Sequence, residues 1–259
     1  MPYAAGLHYE EQGSGPPLIL SAGLGGSGSY WTPNVAALAA HYRVILYDHR
    51  GTGKSDPALP ESVTIDDMAR DVVTLMDGLG IERAQLMGHA LGGIIGLALA
   101  RMTPERLDKL VVVNGWAKTD PFTLRCFDAR LHVLNSGGAK AYLDAQPIFL
   151  FPAPWISENG DRLERETAGH LSHFQGENTL RKRIAAIAAF DASDWIGSLT
   201  TPTLALASRD DMLAPYTASE RLAAANDNIS LALMDWGGHA CNVTDPDTFN
   251  RIVLEFLRS

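Results

Sequence analysis

The sequence predicts an α/β fold: a mostly parallel sheet flanked by helices. Short apolar runs alternate with longer amphipathic segments along most of the 259 residues, an alternation typical of parallel sheets. The run Leu110-Val111-Val112-Val113 is apolar throughout, as expected of a strand that is buried on both faces. The alternation stops after Val113, which indicates an insertion of different structure.

The individual elements follow from this pattern. We expect strands at residues 18–21, 43–47, 85–87, 110–113, 203–207 and 229–234, and helices at residues 30–40, 65–79, 91–101, 246–257 and after Pro215. Thr64 and Asp67 have the spacing of a helix N-cap, because each can satisfy a free backbone N–H of the first turn. Gly80 is placed to end that helix.

Residues 115–199 show no convincing strand pattern, although they contain three of the five tryptophans and several prolines. A structureless loop of this length is rare inside a compact domain. We therefore predict a helical cap at residues 115–199, inserted into a core formed by residues 1–114 and 200–259.

Composition excludes several classes of partner. With 21 basic against 30 acidic residues, the net charge is −9, which disfavours binding to nucleic acids and to anionic membranes. Two cysteines, Cys126 and Cys241, are too few for a disulfide framework. We expect no signal peptide, because no basic segment followed by an apolar run follows Met1. No apolar stretch reaches the roughly 18 residues of a membrane span. These features predict a cytoplasmic protein with no membrane partner, and they are compatible with a homodimer.

Two glycine-rich stretches resemble nucleotide-binding motifs. Gly23-x-Gly25-x-x-Gly28 with Asp48 20 residues later fits the dinucleotide fingerprint, but the Tyr-x-x-x-Lys pair of a short-chain dehydrogenase is missing from the sequence. The residues Gly51-Thr52-Gly53-Lys54-Ser55 imitate the end of a phosphate-binding loop, yet Asp48 stands where that motif needs glycine. We predict no cofactor and no metal ion.

A third pattern accounts for more of the chain. Gly88-His89-Ala90-Leu91-Gly92, between a strand and a helix, has the frame of Gly-x-Ser-x-Gly with alanine at the nucleophile position. Asp210 and Asp211 follow a later strand, and Gly237-Gly238-His239 follows the last one. Ligands of open parallel sheets bind at the edge where these strands end.

With these motifs the sequence resembles the α/β-hydrolase family over essentially its whole length. Residues 21–27 look like the oxyanion loop, and Asp48–Ser55 resembles the family's Asp-x-Arg-Gly-x-Gly-x-Ser loop. The family acid usually lies four residues before a proline, which selects Asp211 over Asp210. The resemblance implies an α/β-hydrolase fold, and it explains both nucleotide-like stretches as ordinary hydrolase loops.

One group within the family is especially similar, the hydrolases of bacterial pyrimidine utilisation, to which a carbamate or aminoacrylate hydrolase activity is ascribed. The shared strings are residues 23–31, 88–92, 113–116, 173–176 and 238–246. The resemblance implies a small-molecule substrate in uracil nitrogen catabolism. It also implies that alanine at position 90 is natural, although an introduced Ser→Ala change would give the same sequence.

Without a serine, acid–base chemistry remains. We expect His239 to act as general base or acid, Asp211 to orient it, and the N–H groups of Leu24 and Leu91 to hold a developing oxyanion. Trp116 and His173 are further candidates, for binding the substrate. His89, beside Ala90, is expected to be a packing residue, and Cys241 is a minor candidate for a replacement nucleophile.

Other function classes stay open. A cofactor-free lyase or oxygenase would use the same His–Asp pair. A non-catalytic ligand receptor would not need the pair, so its presence disfavours that class. The dehydrogenase is the weakest alternative, for the reasons given above.

Overall fold

An eight-stranded sheet runs through the computed structural model, which describes residues 3–259. The strands are β1 (Tyr3–Ala4), β2 (Leu7–Gln12), β3 (Pro17–Ser21), β4 (Arg43–Tyr47), β5 (Ala84–His89), β6 (Leu107–Val113), β7 (Thr203–Ser208) and β8 (Ile229–Met234). Their spatial order is β1-β2-β4-β3-β5-β6-β7-β8. The pairs β1–β2 and β2–β4 are antiparallel and the others are parallel, so the predicted fold class is confirmed.

Ten α-helices of the described residues connect or flank these strands. They are α1 (Thr32–Ala39), α2 (Ile65–Gly78), α3 (Leu91–Met102), α4 (Pro121–Leu150), α5 (Ala153–Glu158), α6 (Gly160–Ser172), α7 (Glu177–Ala189), α8 (Tyr216–Ala224), α9 (Cys241–Thr244) and α10 (Pro246–Arg258). Thr64 and Asp67 form the predicted capping box at the start of α2. No helix in residues 3–259 is both long enough and apolar enough to cross a bilayer.

The core lies on both faces of the sheet, as the continuous apolar run in β6 predicts. Val111 and Val113 pack into the cluster that includes side chains of α1 and α10. Leu110 and Val112 point to the other face, where they join α2, α3 and side chains of the inserted helices. Since side chains alternate along a strand, one apolar run supplies both layers.

Strands β1 and β2 are absent from the sequence prediction. Residues Glu10, Glu11 and Gln12 of β2 are exposed, so the strand lacks the apolar run that marks the central strands. Its pairing with β4 is antiparallel, and antiparallel strands near a sheet edge tolerate a solvated face.

Helices α4 to α7 occupy most of the insertion. Residues 115–199, all of which the structure describes, contain no strand, and an isolated bridge between Lys118 and Asp191 ties the two ends together. Within α4, Gly138 has a φ of 72° and breaks the helix into two arms. The division into a core and a cap as separate domains stays a prediction.

Candidate active site

A sharp turn joins β5 to α3 at Ala90. Its backbone has φ 47° and ψ −106°, a left-handed conformation that is strained for any residue with a Cβ. The glycines on either side are required by close backbone contacts. A Cβ on Gly88 would lie 2.1 Å from the carbonyl oxygen of Gly92, and one on Gly92 would lie 2.2 Å from that of Ser21.

We therefore expect Gly88→Ala to destabilise the protein by more than about 3 kcal/mol, because the new Cβ meets backbone that cannot move aside. Urea denaturation measures this free energy of unfolding. Gly169→Ala in α6 is the matched control, since a Cβ there meets nothing within 4 Å, and helix propensity predicts a gain of about 0.5–1 kcal/mol. Equal stability of Gly88→Ala and the wild type would contradict this account of the turn.

His239 and Asp211 form a buried hydrogen-bonded pair. The Nδ1 of His239 lies 2.7 Å from the Oδ2 of Asp211, and the two side chains are 3% and 0% exposed. The other oxygen of Asp211 accepts from the N–H groups of Leu213, at 2.7 Å, and Ala214, at 2.9 Å. The carboxylate is thus fixed on both sides, and it orients the imidazole so that Nε2 is left for chemistry.

Asp210, the residue before Asp211, is not hydrogen-bonded to the His239 ring and instead joins two loops. Asp210 accepts hydrogen bonds from the Ser208 hydroxyl, at 2.7 Å, and from the Gly238 N–H, at 2.9 Å. It therefore joins the loop that carries Asp211 (residues 209–215, the acid loop) to the loop that carries His239 (residues 235–240, the histidine loop).

Two further side chains, those of His89 and Asn114, hold the backbone of His239 in place. Its carbonyl oxygen accepts from His89 Nε2, at 2.8 Å, and from Asn114 Nδ2, at 2.7 Å. Asn114 also accepts from the Ser208 N–H at 3.1 Å. Asn114 has no predicted role in the site. An asparagine directly after a buried strand was the available signal, because asparagine tolerates the left-handed backbone found here, φ 49°.

His89 lies between Ala90 and the histidine loop. Its ring stacks on Tyr30, with centroids 4.8 Å apart, and meets the His239 ring edge-on at 4.5 Å. Burial, reinforced by the charge of His239, lowers the pKa of His89 well below its ordinary value. His89 is therefore neutral and donates from Nε2, and the packing role expected of it agrees with these contacts.

The two backbone N–H groups predicted to hold an oxyanion are both unused. Leu91 is the first residue of α3, a position whose N–H has no partner inside the helix. In the part of the chain that the structure describes, neither this N–H nor that of Leu24 donates to another group. Whether they hold an oxyanion stays a prediction.

Helix α7 and the segment just before it support the loop that carries Leu24 (residues 21–27, the oxyanion loop). The carbonyl of Leu24 accepts from Gln175 Nε2 at 3.1 Å and from Arg183 Nη1 at 3.2 Å. Arg183 also donates from Nη2 to the carbonyl of Arg50 at 2.9 Å. Arg183 is buried, which lowers its pKa to about 10. Its hydrogen bonds attach the inserted helices to the oxyanion loop.

Helix α4 covers the other two loops. Thr123 donates to the carbonyl of Leu213 at 2.9 Å, and the Cys126 thiol contacts the carbonyl of Met212 at 3.5 Å. The Ala240 N–H donates to the carbonyl of Leu150, at the end of α4, at 2.9 Å. All three loops of the site therefore contact the insertion.

The remaining predicted residues differ in position. Trp116 is buried in the same apolar cluster as Ala90, and its indole N–H has no partner among residues 3–259. His173, directly after α6, is exposed, and its Nδ1 contacts the carbonyl of Gly169 in that helix at 3.0 Å, so the structure does not bring it to the site. The two residues after it turn inward instead: Phe174 packs against the apolar cluster, and Gln175 donates to the carbonyl of Leu24.

Cys241 is buried beside the histidine loop, and burial raises its pKa to about 12. A protonated thiol is a poor nucleophile, which disfavours Cys241 as a replacement for serine. Residues 3–259 also contain no group of three His, Cys, Asp or Glu side chains that could hold a metal ion.

Comparisons with known proteins identify the family of the chain. Residues 16–149 match the family described as alpha/beta hydrolase fold. The chain is 47% identical to "Putative carbamate hydrolase RutD" of Rhizobium rhizogenes, with 98% of each chain covered. It is 50% identical to the protein of that name from a Caulobacter species, with 97% of this chain and 96% of the other covered.

Solved structures give the same result. The enol-lactonase from Burkholderia xenovorans superposes with a TM-score of 0.88 at 29% identity, over 100% of both chains. The predicted family and the general prediction of a hydrolase are confirmed. The chain belongs to the α/β-hydrolase family, within the group that its RutD relatives form.

Proposed function

We propose that this protein hydrolyses a small nitrogen-containing acid, carbamate or aminoacrylate, in the nitrogen catabolism of pyrimidines. The observation that carries the proposal is the buried His239–Asp211 pair next to a turn whose central residue, Ala90, has no nucleophilic atom. The His239 ring lies 4.5 Å from that of His89, the residue before Ala90. The names of the relatives supply carbamate, and aminoacrylate follows from the sequence resemblance to the hydrolases of pyrimidine utilisation. The absence of a serine directs the mechanism to acid–base catalysis.

For carbamate, His239 acts as a general acid. The imidazolium gives its Nε2 proton to the carbamate nitrogen, after which the C–N bond breaks and its electron pair leaves with nitrogen. The products are ammonia and carbon dioxide, and neutral His239 regains a proton from water. Asp211 stabilises the imidazolium, and the N–H groups of Leu24 and Leu91 donate to one carboxylate oxygen. Acid–base catalysis of this kind raises the reaction rate by about 10²–10⁴-fold.

For aminoacrylate, the same proton goes to carbon and converts the enamine into an imine. Neutral His239 then takes a proton from water while the oxygen attacks the imine carbon. His239 next gives this proton to the nitrogen, and the C–N bond breaks with its electron pair on nitrogen. The added hydroxyl becomes a carbonyl and returns its proton to His239, so ammonia and a 2-oxo acid are released. Both reactions begin with a proton given by one atom, Nε2, and neither forms an acyl-enzyme. The proposal places them in the cytoplasm.

Release of ammonia tests the proposal. Freshly generated carbamate and aminoacrylate are each incubated with the protein, with heat-inactivated protein and with buffer, and the spontaneous rate is subtracted. We expect a rate proportional to the concentration of folded protein for at least one substrate. Binding without turnover in calorimetry would instead favour the receptor class, and no effect on either substrate would reject the proposal.

Arg183 should matter for turnover through the oxyanion loop. Arg183→Met removes the donors to the carbonyls of Leu24 and Arg50, so the Leu24 N–H should lose its fixed position, and we expect kcat to fall about tenfold or more with a smaller change in KM. Arg181→Met changes an exposed arginine of the same helix and serves as control. Equal kcat values for the two variants would contradict the supporting role of Arg183.

A further inference from the structure

Helix α4 carries a buried cation that lacks an anionic partner. Arg130 is 4% exposed, and within residues 3–259 no carboxylate lies in ion-pair range of it. Its Nη2 donates to the Tyr142 hydroxyl at 2.5 Å and to Gln146 Oε1 at 3.0 Å. The guanidinium carbon lies 4.8 Å from the Tyr142 ring centroid and 5.6 Å from that of Phe149.

These contacts leave part of the guanidinium unused. The buried Nε of Arg130 has no partner, and Nη1 donates to none of the described residues. Burying a charge is costly unless it is paired and its donors are satisfied. Neutral oxygens and aromatic faces offset a part of this cost, but they supply no counter-charge. An anion that accepts from the free donors would supply one.

The free donors of Arg130, Nε and Nη1, lie on a part of α4 that borders the candidate active site. Cys126, one helical turn earlier on the same face of α4, contacts the carbonyl of Met212, next to Asp211. Phe149, on which Arg130 packs, is adjacent to Leu150, whose carbonyl accepts from the Ala240 N–H, next to His239. Arg130 therefore lies between the contact of α4 with the acid loop and its contact with the histidine loop.

Arg183 is a second buried arginine of this chain and allows a comparison with Arg130. It also lies in the insertion and is buried, but both of its Nη atoms donate to backbone carbonyls, those of Leu24 and Arg50. The Nε of Arg183, like that of Arg130, has no partner, but both Nη groups of Arg183 are engaged by the fold itself. In Arg130 a single Nη atom, Nη2, makes the protein contacts, on Tyr142 and Gln146, and Nη1 remains available.

We propose that Arg130 binds the carboxylate of the substrate through Nε and Nη1, so that the site selects small carboxylates over neutral molecules of the same shape. Charge-assisted hydrogen bonds of a guanidinium to a carboxylate are among the strong ones. This inference deepens the proposed function by naming the group that recognises its substrate, and it depends on that function only for which carboxylate is turned over.

Calorimetric binding of acetate and acetamide tests the inference without any turnover. These two ligands have nearly the same shape and differ in charge. We expect the wild type to bind acetate at least about tenfold more tightly than acetamide, and Arg130→Met to lose this difference. Arg125→Met, an exposed arginine of the same helix, should keep it. Equal binding of the two ligands by the wild type would overturn the inference, as would unchanged acetate binding by Arg130→Met.

Two further measurements separate recognition from a structural role. Tyr142→Phe removes the hydroxyl that Arg130 contacts but retains the cation, and we expect it to keep the preference for acetate. If Arg130→Met does not fold, thermal unfolding of the wild type tests the inference. Acetate should raise the midpoint of unfolding more than acetamide does at the same concentration. Equal shifts of the midpoint would overturn the inference. If the protein prefers acetate but releases no ammonia, the proposed reaction is contradicted, whereas the proposed recognition of carboxylates by Arg130 is supported.

Discussion

Ala90→Ser should hydrolyse small activated esters such as nitrophenyl acetate at least about 10²-fold faster than the wild type, since removal of a triad serine costs about 10⁴–10⁶ in turnover. The turn that carries Ala90 already has the strained backbone of a nucleophile position, and serine adds one oxygen to it. His239, fixed by Asp211 at 2.7 Å, is placed to take the hydroxyl proton. Release of nitrophenolate, with a burst if the acyl-enzyme accumulates, measures the gain.

The double variant Ala90→Ser/His239→Ala is the control for this gain, and it should return to the wild-type rate. A folded Ala90→Ser protein that stays inert towards several small esters would mean that His239 or the oxyanion donors are misplaced, and the receptor class would then become the better account.

Asp211→Asn should lower proposed carbamate turnover by about 10²–10⁴-fold. The amide oxygen can still accept from the N–H groups of Leu213 and Ala214, so the acid loop should keep its shape. What is lost is the negative charge of Asp211 beside Nδ1 of His239, which stabilises the imidazolium and selects the tautomer. Ammonia release under saturating substrate measures the effect.

Asp210→Asn is the matched control for Asp211→Asn. The contacts of Asp210 with Ser208 and Gly238 both go to Oδ1, an oxygen that asparagine retains, so turnover should fall less than about tenfold. If Asp210→Asn were as damaging as Asp211→Asn, the assignment of the acid would be wrong.

The fold could be predicted wherever one local pattern determines an element. The apolar run in β6 and the cap formed by Thr64 and Asp67 each depend on a few adjacent residues, and both are found as predicted. Strand β2 was missed because its solvated edge position leaves Glu10, Glu11 and Gln12 outside the core. Its pairing with β4 depends on residues far along the chain, which no local pattern encodes.

The same difference between local and long-range information decides how much of the site could be predicted. The motifs around Ala90, Asp211 and His239 are local, and the sequence identified them. The supports of these residues come from distant segments: Asn114 reaches the carbonyl of His239 across 125 positions, and Arg183 reaches that of Leu24 across 159. An arginine in an amphipathic helix indicates a solvated face from sequence alone, so only the packed structure distinguishes Arg130 and Arg183 from exposed neighbours such as Arg125 and Arg181.

The rate of ammonia release from carbamate by His239→Gln, compared with the wild type, tests the proton-transfer mechanism most directly. Glutamine can still donate a hydrogen bond to Asp211 but cannot transfer a proton at neutral pH, so the catalysed rate should fall by at least about 10²-fold. His132→Gln, which changes an exposed histidine whose Nδ1 contacts the carbonyl of Asp128 in its own helix, should keep the wild-type rate. A folded His239→Gln protein that releases ammonia as fast as the wild type would contradict the mechanism.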